Sequence, residues 1–109
     1  MKINIDILSG RLNNKITADT EAGDFLINGK KKQIDVKDFM NRLLGIILSW
    51  KEKMIGPELL DGESYSVTIT DGEETASFYG KNSFPDNYDE FVLLIREVMN
   101  KWLALKCRV

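Results

Sequence analysis

The sequence predicts an α+β protein, in which an antiparallel sheet of four to five strands carries two long helices packed on one face. Three observations lead to this prediction. Isoleucines alternate with polar residues near the N-terminus, apolar residues recur at helical spacing in two long segments, and Asn-Gly and Asp-Gly dipeptides join runs of strand-forming residues. The resulting order is strands, helix, hairpin, helix.

The composition indicates a single domain covering residues 1–109, with the 43% hydrophobic and 29% charged content of a soluble globular protein. Cys107 is the only cysteine, which excludes an internal disulfide and is typical of a reducing compartment, so we expect a cytoplasmic protein. The uncharged run in the central apolar segment, residues 43–50, is far too short to span a membrane. We therefore expect no membrane association.

Three short strands are expected before the first helix. Residues 2–8 alternate isoleucine with polar side chains, which is the pattern of a strand buried on one face. Residues 15–19 are a second predicted strand and residues 24–27 a third. Asn28-Gly29 follows the third strand and is a strong signal for a hairpin turn.

Residues 34–55 are predicted to form one long central helix, around which the other elements pack. Asp35 is a suitable N-cap, because its short side chain can accept hydrogen bonds from the amides of the first turn. Gly56-Pro57 is expected to end the helix. Residues 43–48 are apolar almost all the way round, which indicates burial on more than one side, and Gly45 is expected to allow close approach of a neighbouring backbone.

A second hairpin is predicted between residues 63–70 and 73–79, with Asp71-Gly72 as its two-residue turn. One face of this hairpin is then apolar and buried, whereas the other carries serine and threonine hydroxyls and is solvated. The predicted register pairs Tyr65 with Phe78, Val67 with Ala76 and Ile69 with Glu74.

The last helix is expected to begin after Asp86 or Asn87, either of which can cap its first turn. Asp89 and Glu90 follow, where negative charge suits the helix dipole. The apolar positions of this helix recur at helical spacing and are expected to lie in the core: Phe91, Leu94, Ile95, Val98, Trp102 and Leu105.

The sequence lacks the residue patterns of common catalytic and metal sites. It contains no histidine, the commonest general base and metal ligand, and with one cysteine it has no zinc-binding constellation. No glycine-rich phosphate-binding motif is present. We therefore expect a non-enzymatic protein with no cofactor and no metal, in which Cys107 is an unimportant thiol and not a nucleophile.

Charge is distributed unevenly along the chain. Residues 58–97 contain ten acidic and two basic side chains, whereas the segments on either side are net positive. The hairpin turn and the start of the last helix supply six carboxylates that should face solvent, and Tyr79 and Tyr88 are the aromatic candidates for anchoring a partner. The predicted partner-binding residues are Asp71, Glu73, Glu74, Tyr79, Asp86, Tyr88, Asp89 and Glu90.

Residues 61–95 resemble a pattern in small, mostly uncharacterised bacterial and phage proteins. There a strand after an Asp-Gly pair is followed by a Gly-x-Asn-x-Phe/Tyr-Pro turn and by a helix that opens with Asn-Tyr/Trp-x-x-Phe. The matching positions are Asp61, Gly62, Gly80, Asn82, Phe84, Pro85, Asn87, Tyr88 and Phe91. Some such proteins are similar to immunity proteins encoded beside toxins. The resemblance implies no catalytic residue, because the matching residues are turn and packing residues.

Charge and resemblance together favour a protein-binding inhibitor. The first expectation is an immunity protein that neutralises a bacterial toxin, such as a nuclease, by occluding its basic surface. The alternatives are a phage-type inhibitor of a nucleic-acid enzyme, and a small nucleic-acid-binding or regulatory domain that uses the lysines at 30–32 and exposed aromatic residues. Nucleic-acid binding is not expected, because the hairpin aromatics lie in the acidic segment, which would repel phosphate. A monomer or weak dimer is expected.

Overall fold

The computed structural model describes residues 1–9, 12–58 and 62–106 of the chain, and for Leu12 and residues 100–106 it describes the backbone alone. The predicted α+β class is confirmed, with seven strands and two helices in the described residues. In chain order these elements are β1 (Lys2–Ser9), β2 (Leu12–Asp19), β3 (Asp24–Ile27), β4 (Lys30–Lys31), α1 (Val36–Ile47), β5 (Lys53–Ile55), β6 (Glu63–Asp71), β7 (Glu74–Lys81) and α2 (Tyr88–Lys106).

The strands form one sheet in the order β4-β3-β2-β1-β6-β7-β5. Neighbouring strands are antiparallel except β5 and β7, which run parallel. The prediction of four to five antiparallel strands is therefore wrong in number and, at one edge, in direction. The two additional strands, β4 and β5, have only two and three residues, which is too short for an alternating pattern to reveal them.

One face of the sheet and both helices enclose a single apolar core. The central strand β1 shows the pattern, because Ile3 and Ile5 point to the covered face and are at most 1% exposed, whereas Lys2 and Asn4 are exposed. The opposite face carries the intervening polar residues, which are mostly exposed or half-buried; we call it the open face. No helix in the described part of the chain covers the open face.

The first hairpin turn is confirmed at Asn28-Gly29. Both residues have the positive φ values, 52° and 81°, that a two-residue turn of this kind needs. The Asn28 side-chain oxygen also accepts a hydrogen bond from the Lys15 amide at 2.8 Å, so the turn is tied back to β2. The predicted second strand is three residues longer than expected and begins at Leu12.

Helix α1 begins where predicted but ends at Ile47, so the prediction of one helix over residues 34–55 is wrong. Asp35 is the N-cap, and its carboxylate accepts a hydrogen bond from the Asp38 amide at 3.1 Å. The carbonyl of Ile46 would bond the amide of residue 50 in a continuing helix; here it accepts a hydrogen bond from the Asn87 side chain at 2.8 Å. The Trp50 amide bonds instead to Ile47 at 3.0 Å, and the chain turns away.

Three further predictions depended on the long helix, and they are also wrong. Gly56-Pro57 does not end a helix, because residues 53–55 are already the edge strand β5. Gly45 is exposed and nothing lies within 4 Å of the position a Cβ would take, so no neighbour approaches it closely. Leu48 is 79% exposed, so the apolar stretch is buried on one side only.

The second hairpin forms with a register that differs from the predicted one. Val67 pairs with Phe78 and Ile69 with Ala76, so the two turn residues are Gly72-Glu73. Gly72 has φ 62° and occupies the first central position, where this turn geometry requires glycine. The shift of two residues keeps the same side chains on each face, so the predicted covered and solvated faces are confirmed.

Helix α2 begins at the end of the β6-β7 hairpin away from its turn and packs on the core. Phe91, Leu94, Ile95 and Val98 are buried as predicted. Trp50 is 6% exposed and lies in an aromatic cluster. Its ring centroid is 5.1 Å from that of Tyr65 and 5.1 Å from that of Phe91.

The C-terminal predictions extend past the described side chains. Trp102 and Leu105 lie where only the backbone of α2 is described, and Cys107 lies outside the described residues. In the part of the chain that is described, no helix has the length and apolar character to cross a membrane.

Candidate functional site

A cleft of about 400 Å³ lies where the segment after α1 meets the segment before α2. Aromatic and apolar side chains form part of its wall, and polar and charged groups lie beside them. The lining residues are Ser49, Trp50, Lys51, Met54, Phe84, Pro85, Asp86 and Asn87. Its volume falls in the range of small-ligand sites or of a pocket that receives one side chain of a partner.

Asn87 fixes the geometry of this cleft. Its side-chain oxygen accepts a hydrogen bond from the Trp50 indole N–H at 2.6 Å, and its amide donates to the Ile46 carbonyl at 2.8 Å. Asn87 therefore does not cap α2 with its side chain, as one of the two sequence alternatives expected. It joins the end of α1 to the start of α2 and satisfies two polar groups that packing removes from water.

The six predicted carboxylates are exposed, but they form two separate groups. Asp86, Asp89 and Glu90 lie at the start of α2, and Asp86 reaches the cleft. The other three, Asp71, Glu73 and Glu74, lie at the hairpin turn.

The two groups lie near opposite ends of the β6-β7 hairpin. The Tyr88 ring packs 5.3 Å from that of Tyr65, and six residues of extended strand, about 20 Å, separate Tyr65 from Asp71. The six carboxylates therefore form not one acidic face but two groups, a helix-start group and a hairpin-turn group.

Tyr88 is buried, so its predicted role as an exposed anchor is wrong. Its side chain is 8% exposed and packs 4.6 Å from the ring of Phe84. Its hydroxyl and that of Tyr65 have no hydrogen-bond partner among the described residues. Burial, and secondarily the charge of Glu63 and the neighbouring Tyr65, raise the pKa of Tyr88 well above its usual value.

Tyr79 is 39% exposed, as an anchor needs, but it lies apart from both acidic groups. It is on the open face, where its cross-strand neighbours are Lys53 on β5 and Ser66 on β6. The sequence does not indicate that Lys53 belongs to this surface, because residues 53–55 are predicted to continue the central helix. The sequence Lys53-Met54-Ile55 has no polar-apolar alternation, so it offered no signal for this strand.

The residues of the resemblance have structural roles where they are described. Gly80 faces the ring of Tyr65, and a Cβ at this position would collide with it. Asn82 has φ 54° and holds two segments together, since its side chain accepts from the Glu63 amide at 2.9 Å and donates to the Pro57 carbonyl at 2.8 Å. Asp61 lies outside the described residues.

Two ion pairs lie elsewhere on the described surface. Lys31 pairs with Asp24 at 3.1 Å, and Arg42 pairs with Glu97 at 2.6 Å on the surface between the helices. The Glu97 hydrogen bond raises the pKa of Arg42. Among the described residues, no three His, Cys, Asp or Glu side chains are grouped to hold a metal ion. Comparison with protein family models, with curated proteins and with solved structures finds no match to this chain.

Proposed function

We propose that this protein is a non-enzymatic, cytoplasmic inhibitor that binds a partner protein and covers a basic surface on it, in the manner of an immunity protein. The observation that carries the proposal is the exposed helix-start group, Asp86, Asp89 and Glu90, beside the 400 Å³ cleft. A toxin nuclease, whose active-site surface must be basic to hold phosphate, is the kind of partner that such a surface fits.

The helix-start carboxylates are available to a partner. None of these three carboxylates forms an ion pair with a cation in the described part of the chain. The single cation lining the cleft is Lys51. Negative charge therefore predominates here, and it would accelerate association with a basic partner in a salt-dependent way.

The cleft adds a place for a side chain of the partner. Phe84 and Met54 provide apolar wall, and Asp86 provides a carboxylate at the same opening. A lysine or arginine of the partner can lay its aliphatic chain on such a wall while its charged end pairs with the carboxylate.

The experiment compares two variants with the same change in net charge. Asp89→Lys with Glu90→Lys alters the helix-start group, and Glu73→Lys with Glu74→Lys alters the hairpin-turn group. Binding is measured to the product of the gene adjacent to this one, by calorimetry and by protection of cells against that product. We expect the helix-start variant to lose binding by about 10-fold or more, through slower association, while its melting temperature stays near that of the wild type.

The matched variant separates the outcomes. If the hairpin-turn variant alone loses binding, the hairpin turn is the interface and the cleft is not. If both variants fold and still protect, the carboxylates are only solvated surface and the proposal fails.

A phage-type inhibitor of a nucleic-acid enzyme is the second candidate, and the hairpin turn favours it. Asp71 and Glu74 are directly opposite each other across the strands, an arrangement of like charges that costs stability. Two adjacent carboxylates at an exposed turn can imitate neighbouring phosphates. In the experiment above, loss of binding in the hairpin-turn variant alone, with an enzyme of nucleic-acid metabolism as partner, would support this candidate.

A further inference from the structure

The open face carries two lysines on either side of an exposed aromatic ring. Lys53 is the cross-strand neighbour of Tyr79, so their Cα atoms are about 4.8 Å apart. Lys81 lies two residues further along β7 on the same face, at about 6.6 Å. All three residues are exposed.

Strand β5 holds Lys53 in this position because hydrogen bonds join both of its ends to β7. The Tyr79 amide donates to the Glu52 carbonyl at 2.8 Å, and the Gly56 amide donates to the Lys81 carbonyl at 2.8 Å. Lys53 therefore lies on a paired strand and not in a loop.

The open face of β5, β6 and β7 carries no carboxylate in the described chain. Its residues are Lys53, Ile55, Ser64, Ser66, Thr68, Thr70, Thr75, Ser77, Tyr79 and Lys81. The first carboxylate in the row that contains Tyr79 is Asp6 on β1, beyond Ser66. The two lysines therefore lie on a part of the sheet surface whose own strand residues carry no negative charge.

We propose that this surface binds single-stranded nucleic acid, with a base stacked on the ring of Tyr79 and adjacent phosphates paired with Lys53 and Lys81. The hydroxyls of Ser66 and Ser77, which neighbour Tyr79 on the same face, can donate to phosphate or sugar oxygens. This binding is additional to the inhibitor function and uses neither the helix-start group nor the cleft. It gives Tyr79, which the sequence suggested as an anchor for a partner protein, a different ligand.

Nucleic-acid binding was not expected because residues 58–97 are acidic. That argument concerns the charge of a sequence segment, whereas binding depends on the charge of the surface that the segment forms. Residues 58–97 are acidic as a stretch of sequence, but most of their described carboxylates lie away from this surface. Three are at the hairpin turn and three at the helix start, Glu97 is on α2, and Glu63 is on the covered side of β6. Glu58 follows the end of β5, and Asp61 lies outside the described residues. An acidic peptide could also pair with the lysines. A flat ring between two cations favours a ligand that alternates planar and anionic groups, as a single strand does.

The test is fluorescence anisotropy with labelled oligo(dT) and oligo(U) of about 15 nucleotides, a length that covers a site of this kind. Wild-type protein should bind at low salt, and its affinity should fall as salt rises. Tyr79→Leu should weaken binding about 5-fold or more, whereas Tyr79→Phe, which keeps the ring, should bind like the wild type. Lys53→Gln with Lys81→Gln should make the slope of log affinity against log salt shallower by about 1.4.

The control variant is Lys30→Gln with Lys37→Gln, which removes the same charge from exposed positions away from this face. It should leave the salt slope unchanged, and thermal melts should show that every variant is folded. Failure of the wild type to bind either oligonucleotide at low salt would overturn the proposal. An equal effect of the two lysine pairs would also overturn it, and so would tighter binding of a polyglutamate peptide that is insensitive to Tyr79→Leu.

Discussion

Single glycines in this protein differ sharply in what surrounds them, and this difference can be measured. A Cβ at Gly80 would collide with the buried ring of Tyr65, so Gly80→Ala should lower the free energy of unfolding by about 1–3 kcal/mol. Gly45 lies exposed in α1 with nothing within 4 Å, so Gly45→Ala should raise it by about 1 kcal/mol. Urea denaturation of both variants checks the pair, and similar values for the two would contradict the packing assigned to Gly80.

The buried hydroxyl of Tyr88 predicts how stability responds to alkaline pH. Burial raises the pKa of Tyr88, so the folded state keeps a proton that the unfolded state loses near pH ~10. The stability this group contributes is therefore complete below pH ~10 and falls above it, by at most about 1.4 kcal/mol per pH unit after allowance for solvent screening. The raised pKa of Tyr65 adds in the same direction.

Tyr88→Phe removes this titration. Its unfolding free energy should fall less steeply above pH ~10 than that of the wild type. At neutral pH the variant should be as stable or up to about 1 kcal/mol more stable, because the hydroxyl it loses has no partner in the described structure. Chemical denaturation across the alkaline range provides the measurement. A loss of stability at neutral pH would instead show that the hydroxyl is hydrogen-bonded in solution.

At the level of elements, α1 is amphipathic where the sequence indicated burial all round. Ile47 is 1% exposed, so Ile47→Ala should cost about 2–5 kcal/mol by lost burial and cavity formation. Leu48 follows it in the chain but is 79% exposed, so Leu48→Ala should change stability by only about 0.5 kcal/mol or less. Differential scanning calorimetry separates these cases. Comparable losses would mean that α1 continues past Ile47 with a second buried side.

The elements also show which features local sequence patterns can predict. Strand β1, the Asn28-Gly29 turn and the Asp35 cap were predictable because each depends on residues close together in the chain. The end of α1 was not predictable, because the group that donates a hydrogen bond to the Ile46 carbonyl is the side chain of Asn87, 41 residues away. Helical spacing of apolar residues continues through Trp50, so the pattern alone favours a longer helix.

The candidate sites also combine features that local sequence predicts with features that it does not. Exposure of the six carboxylates was predictable from turn and helix-start positions, and it is observed. Their separation into two groups, the burial of Tyr88 and the position of Lys53 beside Tyr79 all depend on contacts between residues far apart in the chain. The predicted hairpin register was wrong by two residues, because a two-residue shift leaves the same side chains on each face. The contact of Gly80 with Tyr65, which distinguishes the two registers, is not visible in the sequence.

For the whole molecule, the order of strands in the sheet predicts which strands unfold locally most easily. Strand β1 is central and pairs along its length with β2 and β6, whereas β5 is a three-residue edge strand paired only with β7. Regions with few buried contacts and a single paired neighbour open with the smallest free energies. Native-state hydrogen exchange should therefore find the β1 amides among the slowest and those of β5 among the fastest of the strands.

Gly56 provides a way to alter the edge without altering the centre. A Cβ at this position would collide with the backbone of Asn82, so Gly56→Ala should displace the chain where it bonds to Lys81. Exchange of the Tyr79 amide, which bonds to Glu52, should then accelerate by about 10-fold or more, while β1 exchange stays near wild type because β6 and β7 lie between β1 and β5 in the sheet. Gly45→Ala serves as the control, since it also adds one methyl group but in open space.

Oligonucleotide affinity should fall in Gly56→Ala and not in Gly45→Ala, because Lys53 keeps its place beside Tyr79 only while β5 is paired. Equal acceleration in β1 and β5 would mean that the edge opens with the whole sheet, and the independent edge inferred here would be wrong.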